Sequence, residues 1–185
     1  MLSYEEIYKT AENTLSEKRF YHSKCVVDRA IEYAEIYGEN KEKAKIAGIC
    51  HDIAKEIPKE EILSICEKYG VSLDETEKEN KSLIHGKLGA KIAEVDFGCT
   101  SDICNAIKYH TTGKENMSLL EKIIFIADCT GIDREYYNTE TLYELAKKDL
   151  NEAMILYYKT ELIDMLERGK TVHIDSIKAY NFLIK

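Results

Sequence analysis

The chain is short of the residues that turn a backbone sharply. One proline and nine glycines stand among 185 residues, less than half the usual combined share of about 12%. Sandwiches and barrels need a turn every few residues, so this scarcity argues against them and for long helices with few turns. No apolar run approaches the roughly 18 residues of a membrane-spanning helix. None of the six cysteines, Cys25, Cys50, Cys66, Cys99, Cys104 and Cys129, belongs to a C-x-x-C pair. A zinc ribbon or disulfide framework is therefore not expected, and the thiols read as small buried apolar groups in a reducing compartment. Positive charge is in deficit, with a net charge of −8, whereas nucleic acid and anionic membranes favour basic patches. Neither is expected as a partner. The first residues, Met1-Leu2-Ser3-Tyr4-Glu5-Glu6, lack the basic and apolar regions of a signal peptide, so a cytoplasmic location is expected.

Apolar residues make up 44% and charged residues 32%, which excludes a disordered acidic chain. The length suits one domain, burying roughly two-thirds of its unfolded surface. Ser3-x-x-Glu6 is a capping box that starts a helix running to about Thr14. Ser16 starts the next, with Phe20, Val27, Ala30, Ile31 and Ala34 on one side and Gly38 ending it. Asn40 caps a third, over Ile46, Ala47, Ile49 and Cys50. Pro58 suits the first turn of a fourth, ending near Tyr69-Gly70. Residues 71–82 are polar, with one helical turn after Asp74. Further helices are expected from His85 to before Gly98, and from Thr100 or Ser101 to about His110-Gly113. Ser118 caps a helix whose Leu119, Leu120, Ile123, Ile124, Ile126 and Ala127 are apolar nearly all round, which places it at the centre of a bundle. Helices over about 139–149 and 151–168 follow, broken by Gly169, and Asp175 is the expected cap of a last short one. There are no repeats, low-complexity segments or linkers. The expected fold is all-α: one helical-bundle domain over 1–185 with a short C-terminal helical extension.

Four of the five histidines, His22, His51, His85 and His110, fall on four different predicted helices. Each alone reads as a satisfied structural histidine; the set says more. His51-Asp52 ends the apolar stretch Ile46–Cys50, and Asp128 ends Ile123–Ala127. A carboxylate there is a buried charge that costs several kcal/mol if unpaired. Either a metal ion or a salt bridge, for Asp128 one to a residue such as Arg134, supplies the partner. Imidazole and carboxylate without thiolate suit iron, manganese, nickel or zinc, and suit calcium poorly. The set can hold one ion, or two about 3.5–4 Å apart with Asp52 as the bridge.

The order His22, His51-Asp52, Asp128, with His85 and His110 between, resembles the HD-domain metal-dependent phosphohydrolases. Several segments are similar to its YqeK-type branch, which splits diadenosine tetraphosphate symmetrically: Arg19-x-x-His22, His51-Asp52-Ile53-Ala54-Lys55, Leu83-Ile84-His85-Gly86, Tyr109-His110-Thr111-Thr112-Gly113 and Met117-Ser118-Leu119-Leu120-Glu121-Lys122 through Asp128. The resemblance runs over about residues 3–184. The segment after Asp128, Cys129-Thr130-Gly131-Ile132-Asp133-Arg134, departs mildly from it. The resemblance implies that His22, His51, Asp52 and Asp128 ligate a first divalent metal, iron before manganese, nickel or zinc. It implies that His85 and His110 face a second metal or a substrate phosphate. Arg19, Lys55, His85, His110, Thr111 and Arg134 sit at positions implied to contact nucleotide, and the loop holding His173 is implied to lie near the adenosine.

The implied reaction is attack of a metal-bound hydroxide on a central phosphorus, with two ADP as products and a dinucleoside polyphosphate as the partner molecule. Asp52, Lys55, His85 and His110 are its implied catalytic residues. Lys55 stands three residues after Asp52, on the same face if the helix continues, and is the expected positive charge for the leaving ADP; otherwise it is a solvated lysine. Arg19 lies one turn before His22, and its planar guanidinium suits phosphate. Thr112 reads as structural and Thr111 as a substrate contact, with Gly113 left-handed. A homodimer is compatible with this class. The alternatives are an HD phosphohydrolase of another nucleotide, such as a nucleoside monophosphate or alarmone, a non-catalytic nucleotide-binding module, and a bundle with four core histidines.

Overall fold

Side-chain caps start most of the helices, as the sequence predicts. The computed structural model describes residues 1–135 and 138–185, and among these residues there are eleven α-helices and no strand. Helix α1 (Tyr4–Thr14) begins on the Ser3–Glu6 capping box. Helix α2 (Glu17–Tyr37) begins on Ser16 and ends at Gly38, whose φ of 73° is left-handed. Helix α3 (Lys41–Cys50) begins on Asn40, and α4 (Ile62–Tyr69) follows. Helix α5 (Glu75–Glu79) has its own capping box, Asp74 with Glu77. A 3-10 turn at Lys81–Leu83 leads into α6 (Ile84–Val95), and α7 (Ser101–Lys108) follows Thr100. Helix α8 (Leu119–Thr130) starts on the Ser118–Glu121 box. Helices α9 (Thr139–Ala146), α10 (Leu150–Glu167) and α11 (Ile174–Leu183) complete the chain.

Three local expectations are corrected. Pro58 does not open α4: its carbonyl accepts from the Glu61 and Ile62 amides at 3.0 Å, which makes a turn. The helix proper begins at Ile62, the first residue there with an apolar face to bury. His173, rather than Asp175, caps α11, because the extended His173 backbone lets its ring accept from the Asp175 amide at 3.2 Å. Asp175 falls instead in the first turn, where a carboxylate favours the positive helix end. Helix α3 stops at Cys50, so Lys55 reaches its position by a turn in which its amide donates to the Asp52 carbonyl at 2.9 Å, not by helix periodicity.

Helix α8 is the central element, packed against α2, α3, α7, α9 and α10. Ile123, Ile124, Phe125, Ile126 and Ala127 are fully buried, and each large side chain among them contributes about 1.5–3 kcal/mol by leaving water. Its C-terminal end is fixed to α2: the Tyr33 hydroxyl and the Thr130 hydroxyl lie 2.8 Å apart, and Arg29 Nε donates to the Thr130 carbonyl at 2.9 Å. Those bonds set the position of Asp128, half a turn earlier. A smaller apolar cluster, Ala54, Ile62, Cys66, Ile84 and Leu88, lies under α4 and α6. Ile53 belongs to the main core and Ala54 to this cluster, so the backbone just after Asp52 is held from two sides. The cysteines are free, five of them buried and Cys104 half-buried.

Helices α6 and α7 approach so closely that a Cβ at Gly86 would lie 2.8 Å from the Lys108 carbonyl oxygen. This contact brings His85 beside His110. A backbone carbonyl cannot swing away as a side chain does, so Gly86→Ala is expected to lower stability by about 1–3 kcal/mol in urea unfolding. A variant as stable as the wild type would remove the close approach from the account.

Candidate metal centre

The four histidines come from four elements and meet around one carboxylate. His22 lies within α2, His51 directly follows α3, His85 opens α6, and His110 stands in the turn after α7. All four are buried, as is Asp52. Helix ends leave carbonyls without helical partners, and these set the rings. His51 Nδ1 donates to the Gly48 carbonyl, His85 Nδ1 to that of Ser82 and His110 Nδ1 to that of Ile107, each at 2.7 Å. The Nδ1 of His22 donates to Asp133 Oδ2 at 2.8 Å. With every proton on Nδ1, every Nε2 keeps its lone pair.

Those lone pairs face one another. The Nε2 atoms of His22 and His51 are 3.3 Å apart, and those of His85 and His110 are 3.0 Å apart. Asp52 lies between the pairs. Its Oδ2 is 3.4 Å from His51 Nε2 and 3.9 Å from His22 Nε2; its Oδ1 is 3.1 Å from His85 Nε2 and 3.6 Å from His110 Nε2. Asp128 Oδ1 completes the first group, 3.0 Å from His22 Nε2 and 3.9 Å from His51 Nε2. Metal–ligand bonds of about 2.1 Å place neighbouring donors roughly 3.0–3.4 Å apart, close to these separations. Acceptors crowded in this way repel unless a cation lies among them. The residues present therefore fit a divalent metal on His22, His51, Asp52 and Asp128. His85 and His110 with Asp52 form a second group of donors.

Basic side chains surround the carboxylates. Arg19 Nη1 donates to Asp52 Oδ2 at 2.7 Å. Arg134 donates through Nε to the Asp128 carbonyl at 2.8 Å and through Nη2 to Asp128 Oδ1, and that Nη2 lies 3.1 Å from His22 Nε2. The arginine pair read from the sequence for Asp128 is present, and the imidazoles of the metal alternative lie around the same carboxylate. Lys55 Nζ lies 3.3 Å from His85 Nε2. Burial lowers the Lys55 pKa, against the pull of Asp52 and Asp128. Burial also lowers the His85 pKa, to about 4, so its ring is neutral and able to act as a ligand at neutral pH. Burial works to raise both carboxyl pKa values, yet neighbours prevail. Asp52 is held well below the ordinary range and Asp128 below it as well, with the Arg19 guanidinium donating to the one and that of Arg134 to the other.

Two cavities beside the centre share Arg134 in their lining. One of about 460 Å³ is lined by Asp128, Arg134, Tyr157, Glu161 and Arg168. Another of about 330 Å³ is lined by Lys18, Arg19, His22, Asp133 and Arg134. Thr111 and His173 line a third, of about 230 Å³, with Tyr157, Arg168 and Lys170. His173 has both ring nitrogens taken, Nε2 by Asp74 at 2.8 Å and Nδ1 by the Asp175 amide, so a ring-nitrogen bond to a nucleotide would first have to break one of these. Thr112 is buried and structural: its carbonyl accepts from the Tyr158 hydroxyl at 3.0 Å, and Gly113 next to it is left-handed at φ 65°. Asp133 escaped the sequence reading.

A family profile described as the HD domain matches residues 19–131. Symmetrical bis(5'-nucleosyl)-tetraphosphatase of Bacillus subtilis is 36% identical, over 97% of each chain. The protein of that name from Staphylococcus aureus is 30% identical, over 98% of this chain and 96% of its own. Among solved structures, a Clostridium acetobutylicum protein described as a predicted HD superfamily hydrolase involved in NAD metabolism superposes with a TM-score of 0.95 at 42% identity. The match covers 100% of this chain and 98% of that one.

A cation held by these groups stabilises the native state alone, by about 2.7 kcal/mol at a hundred times its dissociation constant. Manganous ion is expected to raise the melting temperature of the wild type, and Asp128→Asn, which keeps the shape but not the charge, to lose most of that rise. An equal rise in the variant would place cation binding elsewhere.

Proposed function

The chain belongs to the HD-domain family, a membership that carries divalent-metal binding with it, and on that premise we propose that it hydrolyses diadenosine tetraphosphate symmetrically to two ADP. The observation that carries this reading is the buried Asp52 carboxylate, shared between two facing pairs of imidazole nitrogens. Relatives matched over nearly their whole length bear the name of that activity.

A bound divalent cation supplies Lewis acidity toward phosphoryl oxygen and a nucleophilic water at neutral pH. His22, His51, Asp52 and Asp128 would hold it; iron is the first choice, with manganese, nickel or zinc as substitutes. His85 and His110, with Asp52, would hold a second ion or bind a substrate phosphate. The chain's own cations serve the substrate. Arg19, which donates to Asp52, and Arg134, which donates to Asp128, stand at the rim, where planar guanidinium groups suit phosphate oxygens. Lys55, deep beside His85, neutralises the charge that grows on the departing ADP. The two cavities that share Arg134 suit a molecule with a nucleoside at each end of a phosphate chain, and Thr111 borders the third. The free, mostly buried thiols fit a reducing cytoplasm.

Diadenosine tetraphosphate incubated with the manganese- or ferrous-loaded protein and resolved by anion exchange is expected to yield ADP alone. ATP with AMP would refute symmetric attack, and the absence of product would refute the activity. Asp52→Ala is expected to stop turnover in a protein that keeps its helical circular dichroism; full activity there would contradict the shared role of Asp52. Lys55→Ala is expected to slow the reaction on the order of 10²–10³-fold with metal content unchanged. Loss of metal in that variant would make Lys55 a support of the centre instead of a substrate contact.

A further inference from the structure

Three of the four ligand histidines are oriented by the local chain. His51, His85 and His110 stand at or beside helix ends, and each donates Nδ1–H to the carbonyl three residues before it. His22 has no such recourse. It lies inside the 21-residue α2, where backbone amides already use the carbonyls of the preceding turn. Something from elsewhere in the chain must choose its tautomer, and the group in place is Asp133, whose Oδ2 accepts from His22 Nδ1 at 2.8 Å. It is also the only one of the four acceptors that carries a charge. A carboxylate on the far side of an imidazole holds the ring in place and makes the other nitrogen a stronger donor to a cation.

The loop that delivers Asp133 is built around it. Gly131 has φ −53° and ψ 146°, a backbone open to any residue, so conformation does not require glycine there. A Cβ at position 131 would lie 2.6 Å from Asp133 Oδ1, so any larger residue there displaces that carboxylate. That oxygen is buried without a hydrogen-bond partner, an expense accepted where its sister oxygen has work to do. The next residue, Arg134, donates its amide to the Gly131 carbonyl at 2.9 Å, which closes the loop into a turn and carries the guanidinium to the opposite nitrogen of His22.

We infer that Asp133 is a positioning residue that fixes His22 as a ligand, and that Gly131 is kept small to admit it. The inference rests on the metal-dependent reading but not on the identity of the substrate. It can be tested by measuring manganous-ion dissociation constants from the loss of the free-ion paramagnetic resonance signal, with thermal melts checking the fold of each variant. Asp133→Ala is expected to weaken binding about 10–100-fold. Asp133→Asn, which keeps an acceptor but loses the charge, is expected to fall between it and the wild type. Gly131→Ala leaves every ligand and Asp133 itself in the sequence, and it is expected to weaken binding in the same direction by displacing the carboxylate. Activity at saturating manganese is expected to recover in the variants, because Asp133 acts through His22. Wild-type affinity in folded Asp133→Ala would overturn the inference. So would Asp133→Ala that stays inactive with its metal fully loaded, since that assigns Asp133 to the reaction itself. If the wild-type protein leaves diadenosine tetraphosphate intact, the functional reading fails while these affinities still decide the role of Asp133.

Discussion

Four imidazole nitrogens with lone pairs, set against one another around a buried carboxylate, are an arrangement that a folded chain does not keep without reason. At 3.0 and 3.3 Å the facing Nε2 atoms are repulsive neighbours, and burying Asp52 costs several kcal/mol unless its charge is matched. A divalent cation would relieve that repulsion and would add to the Arg19 guanidinium that already pairs with Asp52. Much of the surrounding architecture can be understood as holding these groups in place. The end of α8 is pinned to α2 through Tyr33 and Thr130, the segment after Asp52 is fixed between two apolar clusters, and α6 and α7 touch through a glycine that leaves room for nothing larger.

The same constraint explains the charge balance of a net-acidic chain that takes an anionic substrate. The cations at the centre are side chains with fixed partners: Arg19 on Asp52, Arg134 on Asp128, Lys55 beside His85. Each reaches the centre from a different stretch of chain. In the proposed reaction, substrate phosphates would meet donors already held in position, which is where electrostatic catalysis gains over water.

What could be read from the sequence follows from how local each feature is. The caps at Ser3, Ser16, Asn40 and Ser118 depend on a side chain and amides within three residues, and all were legible. The central place of α8 was equally plain, because a helix apolar on every side has no solvent face. The histidines and aspartates were visible as a set, since carboxylates at the ends of apolar runs demand partners. The pairing of His22 with Asp133 spans 111 residues and that of His173 with Asp74 spans 99; both depend on how loops fold over distant helices. Asp133 looks like any loop aspartate until the turn after α8 is closed. Pro58 misled for a related reason: proline is as suited to a tight turn as to a helix start, and the choice was made by where the first buried side chain falls.

The central claim is that these imidazoles and carboxylates form one metal centre. Anomalous difference maps from crystals of manganese-loaded protein, recorded above the manganese edge, test it most directly. A peak is predicted within about 2.3 Å of His22 Nε2, His51 Nε2 and oxygens of Asp52 and Asp128. A map without a peak there, from protein shown in solution to carry bound manganese, would contradict it.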